Sequence, residues 1–232
     1  MSRWASSTAL TLGVMAAASL SLPATEPIVP RREETVHLRT IPFPCTFVNA
    51  PKEFKLLSGN ALSILASGGS DLYNDCGGTT KSASAPMLLF EPDTQFVLTT
   101  ALTVDFKHEF DGGFLVVYED EDHWAKLLFE QSHMGPLSVC SAVTNGFSDD
   151  TVNTDVPVKK VWFRIARVEH KFYFYLSQDG SRWTYIRYFR SPFQGKAKIG
   201  FASQSPDGKQ CKATFSQIHY SPRAPKDLWT GE

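Results

Sequence analysis

The sequence lacks the marks of several large function classes. Lys+Arg number 23 against 24 Asp+Glu among 232 residues, and this balance argues against a dedicated nucleic-acid-binding protein. Beyond the first residues there is no apolar run of about eighteen residues, so a stable membrane span is not expected. The chain also contains no P-loop, dinucleotide-binding fingerprint or nucleophile elbow. The sequence therefore predicts neither nucleic-acid binding nor a cofactor.

Spacings typical of metal sites are missing as well. The histidines of the body sit in or beside separate strand-like segments: His108, His123, His133, His170 and His219. The cysteines are widely spread, with neither a zinc-knuckle nor a C-x-x-C spacing. The sequence therefore predicts no metal site.

The four cysteines are Cys45, Cys76, Cys140 and Cys211. In an oxidising compartment they could form one or two disulfides. Cys45 lies near the start of the predicted domain and Cys211 opens its last strand. Because the terminal strands of a sandwich are often neighbours, Cys45–Cys211 is the preferred disulfide. The alternative is that the cysteines are buried free thiols.

Residues 1–24 have the features of a secretory signal peptide. They carry a single charge, Arg3, then a compact apolar stretch and small residues, and the first acid is Glu26. A mitochondrial transit peptide or the disordered terminus of a cytoplasmic protein is the alternative, although transit peptides are usually rich in Arg. Residues 25–42 contain Pro and mixed charge, which is typical of a linker. We therefore expect a secreted protein.

The body of the chain has the composition of an all-β domain. It contains 17 Phe, 7 Tyr and 5 Trp, punctuated by 15 Gly and 14 Pro. Strand-like runs follow one another without helical periodicity, and Asp179-Gly180 is a hairpin signal. Residues 67–85, rich in Gly, Ser and Thr, are predicted to form a long surface loop. We expect one antiparallel two-sheet sandwich over 43–220 and a C-terminal tail over 221–232.

Alternation within three predicted strands indicates a binding surface. Residues two apart in a strand share a face, and each of these strands has an apolar face that must point into the core. The opposite faces carry aromatic and long polar side chains: Trp124, Lys126 and Glu130, then Trp162 and Arg164, then Tyr173 and Tyr175. If the strands are neighbours in one sheet, these residues form a platform for a sugar ring. The alternative is a solvated sheet face whose cross-strand pairs only stabilise the fold.

An ordered series of motifs resembles a known family. The series consists of a glycine-containing strand, an acidic turn and W-x-K-x-x-x-E, then Ser148-Asp149, Arg164, Ser177-Gln-Asp-Gly180 with Trp183, and Ser205-Pro-x-Gly208. The family comprises uncharacterised β-sandwich domains, among them a protein named as a regulator of enolase and modules appended to β-xylosidases. The resemblance implies a concanavalin A-like jelly roll with a concave face. Two departures fall in loops expected at the groove: Asp71-Leu-Tyr73 replaces Asp-x-Trp, and Asp150 replaces a second Trp.

The pattern of acids disfavours a glycosidase. Glycosidases of this superfamily carry E-x-D-x-x-E on one strand, and that pattern is missing, since the acids of 119–122 are consecutive and point to both faces of a turn. Glu130 is the strongest candidate on the platform, with Asp149 or Asp150 as a partner from a loop. Lys126, on the same face, is expected to hold Glu130 ionised rather than to raise its pKa.

These residues leave two candidate functions. The first is a secreted lectin-like module that binds a glycan, or a similar small polar or aromatic ligand, on its concave face. The second is an enzyme of small-molecule secondary metabolism whose groove polarises and orients a substrate without a covalent nucleophile. Lys126, Arg164 and the aromatic residues would polarise and shape the substrate, and Glu130 and Lys126 are its candidate catalytic residues. A homodimer formed through a sheet edge is left open.

The signal-like segment gives a prediction about processing. We expect the mature chain, recovered from its host, to begin between about Leu22 and Pro30, because the apolar stretch has the dimensions of a signal peptide. Intact-mass measurement and N-terminal sequencing check this. Recovery of the protein with Met1 in place would contradict it.

Overall fold

The computed structural model describes residues 35–193 and 197–232. Within these ranges the chain forms strands, turns and irregular segments, and no helix there is long and apolar enough to cross a membrane. The signal-like segment 1–24 and the first part of the predicted linker, 25–34, lie outside the described residues.

Seventeen strands are present in the described ranges. In chain order they are β1 Val36–His37, β2 Pro44–Val48, β3 Glu53–Leu57, β4 Ala61–Ser67, β5 Leu72–Asn74, β6 Lys81–Ala83, β7 Met87–Phe90, β8 Phe96–Val104, β9 Gly112–Tyr118, β10 His123–Gln131, β11 Leu137–Asn145, β12 Phe147–Asp155, β13 Lys160–Val168, β14 Lys171–Ser177, β15 Thr184–Arg190, β16 Lys198–Gln204 and β17 Gln210–Ser221.

The strands form two large antiparallel sheets. The front sheet has eight strands in the order β1-β2-β7-β16-β9-β10-β11-β12, and the back sheet has seven in the order β15-β14-β13-β8-β17-β4-β3. Strands β5 and β6 pair only with each other and form a separate hairpin. This arrangement confirms the predicted all-β, two-sheet antiparallel sandwich.

Strand alternation builds the core between the two sheets. Ala125, Leu127 and Phe129 of β10 belong to the same buried cluster as Phe163 and Ile165 of β13. Complete burial of one large apolar side chain of this kind contributes about 1.5–3 kcal/mol. The inward faces predicted for β10 and β13 are therefore confirmed. The alternate residues of β10, which include Lys126 and Glu130, lie on the outer face of the front sheet.

Residues 67–85 are more ordered than the surface loop that we predicted. They contain the β5–β6 hairpin, whose buried Leu72 shares a cluster with side chains on the outer face of the front sheet. Two amides fix the hairpin: Asn49 Nδ2 donates to the carbonyls of Ala83 and Ala85 at 2.7 and 3.0 Å, and Asn74 Nδ2 donates to the Glu121 carbonyl at 3.0 Å. The hairpin therefore covers part of the sheet rather than extending into solvent.

Both ends of the predicted domain extend further than 43–220. Val36 and His37 pair with β2, and residues 38 and 41 are buried in the core, so part of the predicted linker is packed. The predicted tail 221–232 also contacts the domain. Arg164 Nη1 donates to the Gly231 carbonyl at 2.6 Å, and Tyr175 Oη donates to the Leu228 carbonyl at 2.7 Å.

The predicted Cys45–Cys211 disulfide is wrong in this structure, where all four cysteines are free. Cys45 lies on β2 of the front sheet, between β1 and β7, whereas Cys211 lies on β17 of the back sheet, between β8 and β4. The first and last long strands are therefore not neighbours. Cys45, Cys140 and Cys211 are buried, and Cys76 is exposed at the turn of the β5–β6 hairpin.

These thiols give a prediction about reactivity. Burial raises the pKa of both Cys45 and Cys211 to about 12, which suppresses the reactive thiolate. We expect a thiol reagent to label one cysteine in the native protein, Cys76, and all four after unfolding without reductant. Counting labelled sites by mass spectrometry checks this, and Cys76→Ser should abolish the native signal. A loss of two labelled sites in the unfolded chain would instead indicate a disulfide.

Candidate functional site

A cavity of about 550 Å³ opens on the outer face of the front sheet, beside the β5–β6 hairpin. We call it the front cavity. Its polar lining includes Asp71, Tyr73, Lys126, Glu130, His133, Asp150, Gln204 and Asp207, and Phe110 adds an aromatic ring. The hairpin, β10, β12 and the end of β16 thus each supply one side of the cavity.

The alternation of β10 places Lys126 and Glu130 in the front cavity. They share a face with Leu128, which also lines it, and the intervening residues fill the core. Gly112 of β9 lies opposite Glu130 in the sheet. A Cβ at Gly112 would lie only 2.6 Å from Leu128 Cδ1 and 3.3 Å from Glu130 Cβ, so the glycine leaves room for both side chains.

The ammonium group of Lys126 is enclosed, with two hydrogen-bond acceptors and one nearby carboxyl group. Its Nζ donates to the Leu72 carbonyl at 2.8 Å and to Gln204 Oε1 at 3.2 Å, and Asp71 Oδ1 lies 4.0 Å away. The side chain is almost fully buried, and the ring of Phe114 has its centroid 5.6 Å from Nζ. Lys126 therefore connects the hairpin, the sheet and the end of β16.

Glu130 is a buried carboxylate without a cationic partner at hydrogen-bonding distance among the described residues. It is 8% exposed, and the thiol of Cys140 donates to its Oε1 at 3.2 Å. Burial raises the pKa of Glu130, and the charge of Lys126 only partly opposes this effect. Lys126 lowers the pKa of Glu130 as expected, but desolvation is the larger effect and leaves the pKa above its ordinary value.

Asp71 is a second carboxyl group with a perturbed pKa in the front cavity. Burial raises its pKa, while the charge of Lys126 and a hydrogen bond from the Leu72 amide at 2.7 Å act in the opposite direction. Two carboxyl groups with raised pKa values beside one ammonium group are typical of functional sites.

Asp149 and Asp150 lie on the edge strand β12 rather than on the predicted loop. Their side chains therefore point to opposite faces of the front sheet. Asp150 lines the front cavity. Asp149 forms an ion pair at 2.5 Å with Arg187 of β15, an edge strand of the back sheet. Of the two candidate partners for Glu130, the structure brings Asp150 into the cavity and excludes Asp149.

Trp124 does not form a stacking surface for a ligand. It lies on the same face of β10 as Lys126, but it is completely buried in the cluster that includes Leu72 of the hairpin, and it does not line the front cavity. Its indole N–H has no hydrogen-bond partner within residues 35–193 and 197–232. Trp124 is therefore a packing residue, because the hairpin that we predicted as a loop covers it.

Four other residues of the predicted platform lie on the back sheet, away from the front cavity. Trp162 Nε1 donates to Gln217 Oε1 at 2.8 Å, and the Arg164 guanidinium stacks 3.8 Å from the ring of Trp183. Tyr173 stacks on Tyr188 at 5.8 Å, and Tyr175 contacts the C-terminal segment through its hydroxyl group. The platform is wrong as a single site, because β13 and β14 are not neighbours of β10.

Several residues of the front cavity were not among the predicted site residues. Asp71 and Tyr73 lie in the segment predicted as a loop, and their only sequence signal is the Asp-x-aromatic motif in a run of small residues. Gln204 directly precedes the Ser205-Pro motif and carries no signal of its own. Its amide donates to the Phe110 carbonyl at 3.2 Å while its oxygen accepts from Lys126.

One group of potential metal ligands occurs in the described residues, at the turn between β9 and β10. The ligand atoms of Glu119, Asp120 and His123 lie within 4.8 Å of one another. His123 Nδ1 and Asp120 Oδ1 are 2.8 Å apart and form a hydrogen bond within the turn. This hydrogen bond within the turn explains why these side chains lie close together.

Comparison with known proteins gives a family and a fold. A family model described as a protein of unknown function (DUF1349) matches residues 47–223. No curated protein matches the sequence. The predicted resemblance is thus confirmed at the level of a β-sandwich family of unknown function, and its link to a regulator of enolase stays a prediction.

Solved structures share the sandwich. A functionally unknown protein from Saccharomyces cerevisiae superposes with a TM-score of 0.70 at 22% identity, over 76% of this chain and 95% of that one. GH43B of a xyloglucan PUL from Bacteroides ovatus gives 0.63 at 15% identity, over 85% and 40% of the two chains. A mutant of the GH43 protein BlXynB from Bacillus licheniformis gives 0.61 at 14%, over 76% and 36%. The chain thus spans well under half the length of the two GH43 proteins, and the likeness shows the fold alone.

The raised pKa of Glu130 gives a prediction about stability. The folded protein holds the Glu130 proton up to a higher pH than the unfolded chain, so stability falls as pH rises from the unfolded pKa through the folded one. Glu130→Gln removes this loss. We expect the variant to be more stable than the parent at pH 8, with a smaller difference at pH 4.

Urea unfolding at both pH values measures this difference. Glu91→Gln makes the same chemical change at an exposed position and serves as the control. A variant destabilised more at pH 8 than at pH 4 would show that the folded state favours ionised Glu130, and an equal effect at both pH values would show no pKa shift; either result contradicts the prediction.

Proposed function

The chain belongs to the DUF1349 family of proteins of unknown function, and we propose that it binds a carbohydrate unit in the front cavity. The observation that carries this proposal is an open cavity of about 550 Å³ in which buried polar groups and aromatic rings converge. Its volume lies within the range of about 300–1,000 Å³ that is usual for ligand pockets. The signal-like segment 1–24 supports a secreted carbohydrate-binding protein.

The polar groups are held in place before a ligand arrives. Gln204 is fixed at both ends of its amide, by Lys126 and by the Phe110 carbonyl. Glu130 and Lys126 are buried on a central strand of the sheet. Side chains that are already ordered lose little conformational entropy on binding, so their hydrogen bonds to sugar hydroxyls contribute more fully to affinity.

Aromatic rings supply the apolar surface that the faces of a sugar ring require. Tyr73 and Phe110 line the front cavity, and the Phe110 ring lies 5.7 Å from the ring of His133 at an angle of 30°. These side chains replace Trp124, which is buried, as the candidate stacking surface. The GH43 proteins that share the sandwich include one from a xyloglucan locus, which agrees with a carbohydrate ligand.

A second candidate function is an enzyme acting on a small molecule in the same cavity. The observation that favours it is the pair of carboxyl groups, Glu130 and Asp71, whose pKa values are raised towards the range of a general acid. Lys126 has one Nζ donor beyond its bonds to the Leu72 carbonyl and Gln204, and that donor would polarise a carbonyl group of the substrate. In this case the front cavity would bind and then convert its ligand.

Neighbouring acids on β12 provide a matched test of the binding site. Asp150 lines the front cavity and Asp149 points to the other face, so Asp150→Asn should weaken glycan binding about fivefold to tenfold, as expected for a lost charged hydrogen bond. Asp149→Asn should leave binding within twofold of the parent. A glycan array followed by calorimetry on the bound glycans measures both. Equal effects of the two variants, or no bound glycan, would contradict the proposal.

Glu130→Gln separates the two candidate functions. The amide keeps the shape of the side chain and removes its charge. A binding module should lose about 1 kcal/mol of binding free energy, whereas an enzyme that uses Glu130 as acid or base should lose roughly 10²–10⁴ in rate with little change in binding. Product analysis on each bound ligand, with parent and variant side by side, distinguishes these outcomes.

A further inference from the structure

The front cavity has an excess of negative charge. Four carboxyl groups line it, those of Asp71, Glu130, Asp150 and Asp207, and Lys126 is the only Lys or Arg among its described lining residues. The cavity therefore differs from the surface of the whole protein, whose positive and negative charges nearly balance. Carboxyl groups concentrated in a partly enclosed space favour a ligand of positive charge.

The single ammonium group does not neutralise the carboxyl groups of the cavity. The Nζ of Lys126 already donates to the Leu72 carbonyl and to Gln204, and its nearest acid is Asp71 at 4.0 Å. Two of its three donors thus lie within hydrogen-bonding distance of protein oxygen atoms, while the Asp71 carboxyl group attracts the ammonium through charge alone. Lys126 therefore has at most one donor for an anionic ligand, against four carboxyl groups in the lining of the cavity.

Glu130 is the carboxyl group that most lacks a counter-charge. It is 92% buried, as its exposed fraction of 8% shows, and it lines the cavity. Among the described residues the only donor to it is the Cys140 thiol, on Oε1, and a thiol is a weak donor. Its other oxygen, Oε2, receives no hydrogen bond from the part of the chain that the structure describes. A buried carboxylate without a strong donor or a cation is costly, and a ligand that brings either one offsets that cost.

The neighbouring acids strengthen this effect. Burial is the largest cause of the raised pKa of Glu130, and the negative charges of Asp150 and Asp71 raise it further. These three carboxyl groups therefore lie close enough to repel one another when ionised. A cation placed among them would interact favourably with all three.

We infer that the front cavity selects an amino sugar, whose protonated amine lies against Glu130 with Asp150 and Asp71 around it. This inference rests on the proposed carbohydrate binding and names the class of sugar. The sugar ring supplies the apolar faces that Tyr73 and Phe110 can cover. Its ammonium group supplies the charged donor that Glu130 lacks, and charge-assisted hydrogen bonds of this kind are about twice as strong as neutral ones.

Three trisaccharides with the same β-1,4-linked glucose backbone test the inference. Chitotriose carries free amines, its N-acetylated form carries neutral amides, and cellotriose carries hydroxyl groups at the same positions. We expect chitotriose to bind at least about tenfold more tightly than the other two at pH 6 in low salt, as measured by calorimetry. Adding salt should reduce this preference only in part, because the contribution of the exposed Asp150 is screened while the contact with the buried Glu130 is screened much less.

Variants assign the preference to the cavity. Glu130→Gln and Asp150→Asn should each reduce the chitotriose preference about tenfold, because they weaken chitotriose binding more than cellotriose binding. Asp149→Asn, which removes an acid outside the cavity, should keep the preference. Asp150 lies on an exposed edge strand, so its variant tests the inference even if Glu130→Gln does not fold.

The outcomes separate this inference from the proposed function. Equal binding of the three trisaccharides, or binding of only a neutral or acidic glycan from the array, would overturn the amino-sugar inference and leave carbohydrate binding intact. Binding of no glycan would overturn both. Calcium ions that bind in the absence of sugar, and whose binding is lost in Glu130→Gln, would show that the cavity takes a metal ion instead of an amine.

Discussion

The front cavity depends on the buried ammonium group of Lys126. Its hydrogen bonds to the Leu72 carbonyl and to Gln204 join three separate parts of the chain, namely the hairpin, the central strand β10 and the end of β16. A buried charge is stable only when its donors are satisfied. The requirement to satisfy Lys126 therefore fixes the distance between the hairpin and the sheet, and that distance determines the width of the cavity.

The sequence was sufficient to predict which residues of a strand face outward but not which sheet carries the strand. Alternation correctly placed Lys126 and Glu130 opposite an apolar face, and it did the same for Arg164 and Tyr175. Because alternation is local, it holds no information on strand order, which is set by packing between distant segments. The predicted platform therefore combined the outer faces of two different sheets.

Local sequence patterns also could not predict that the β5–β6 hairpin covers part of the front sheet. Residues 67–85 contain few apolar side chains, and only Leu72 among them resembles a strand residue that must be buried. Its burial beside Trp124 follows from the closeness of the hairpin to the sheet. A tryptophan that would be a ligand contact on an open sheet becomes a packing residue when another segment covers it.

The ion pair between Asp149 and Arg187 links an edge strand of the front sheet to an edge strand of the back sheet. Because Asp150 is the next residue on the same strand, one wall of the cavity is attached to a sheet that contributes no residue to the cavity. Sequence drift in β15 can therefore change how β12 is held against the back sheet without changing a residue that lines the cavity. Among relatives of this protein, positions 149 and 187 should vary together, and their pairing would mark members in which the same two edge strands are joined.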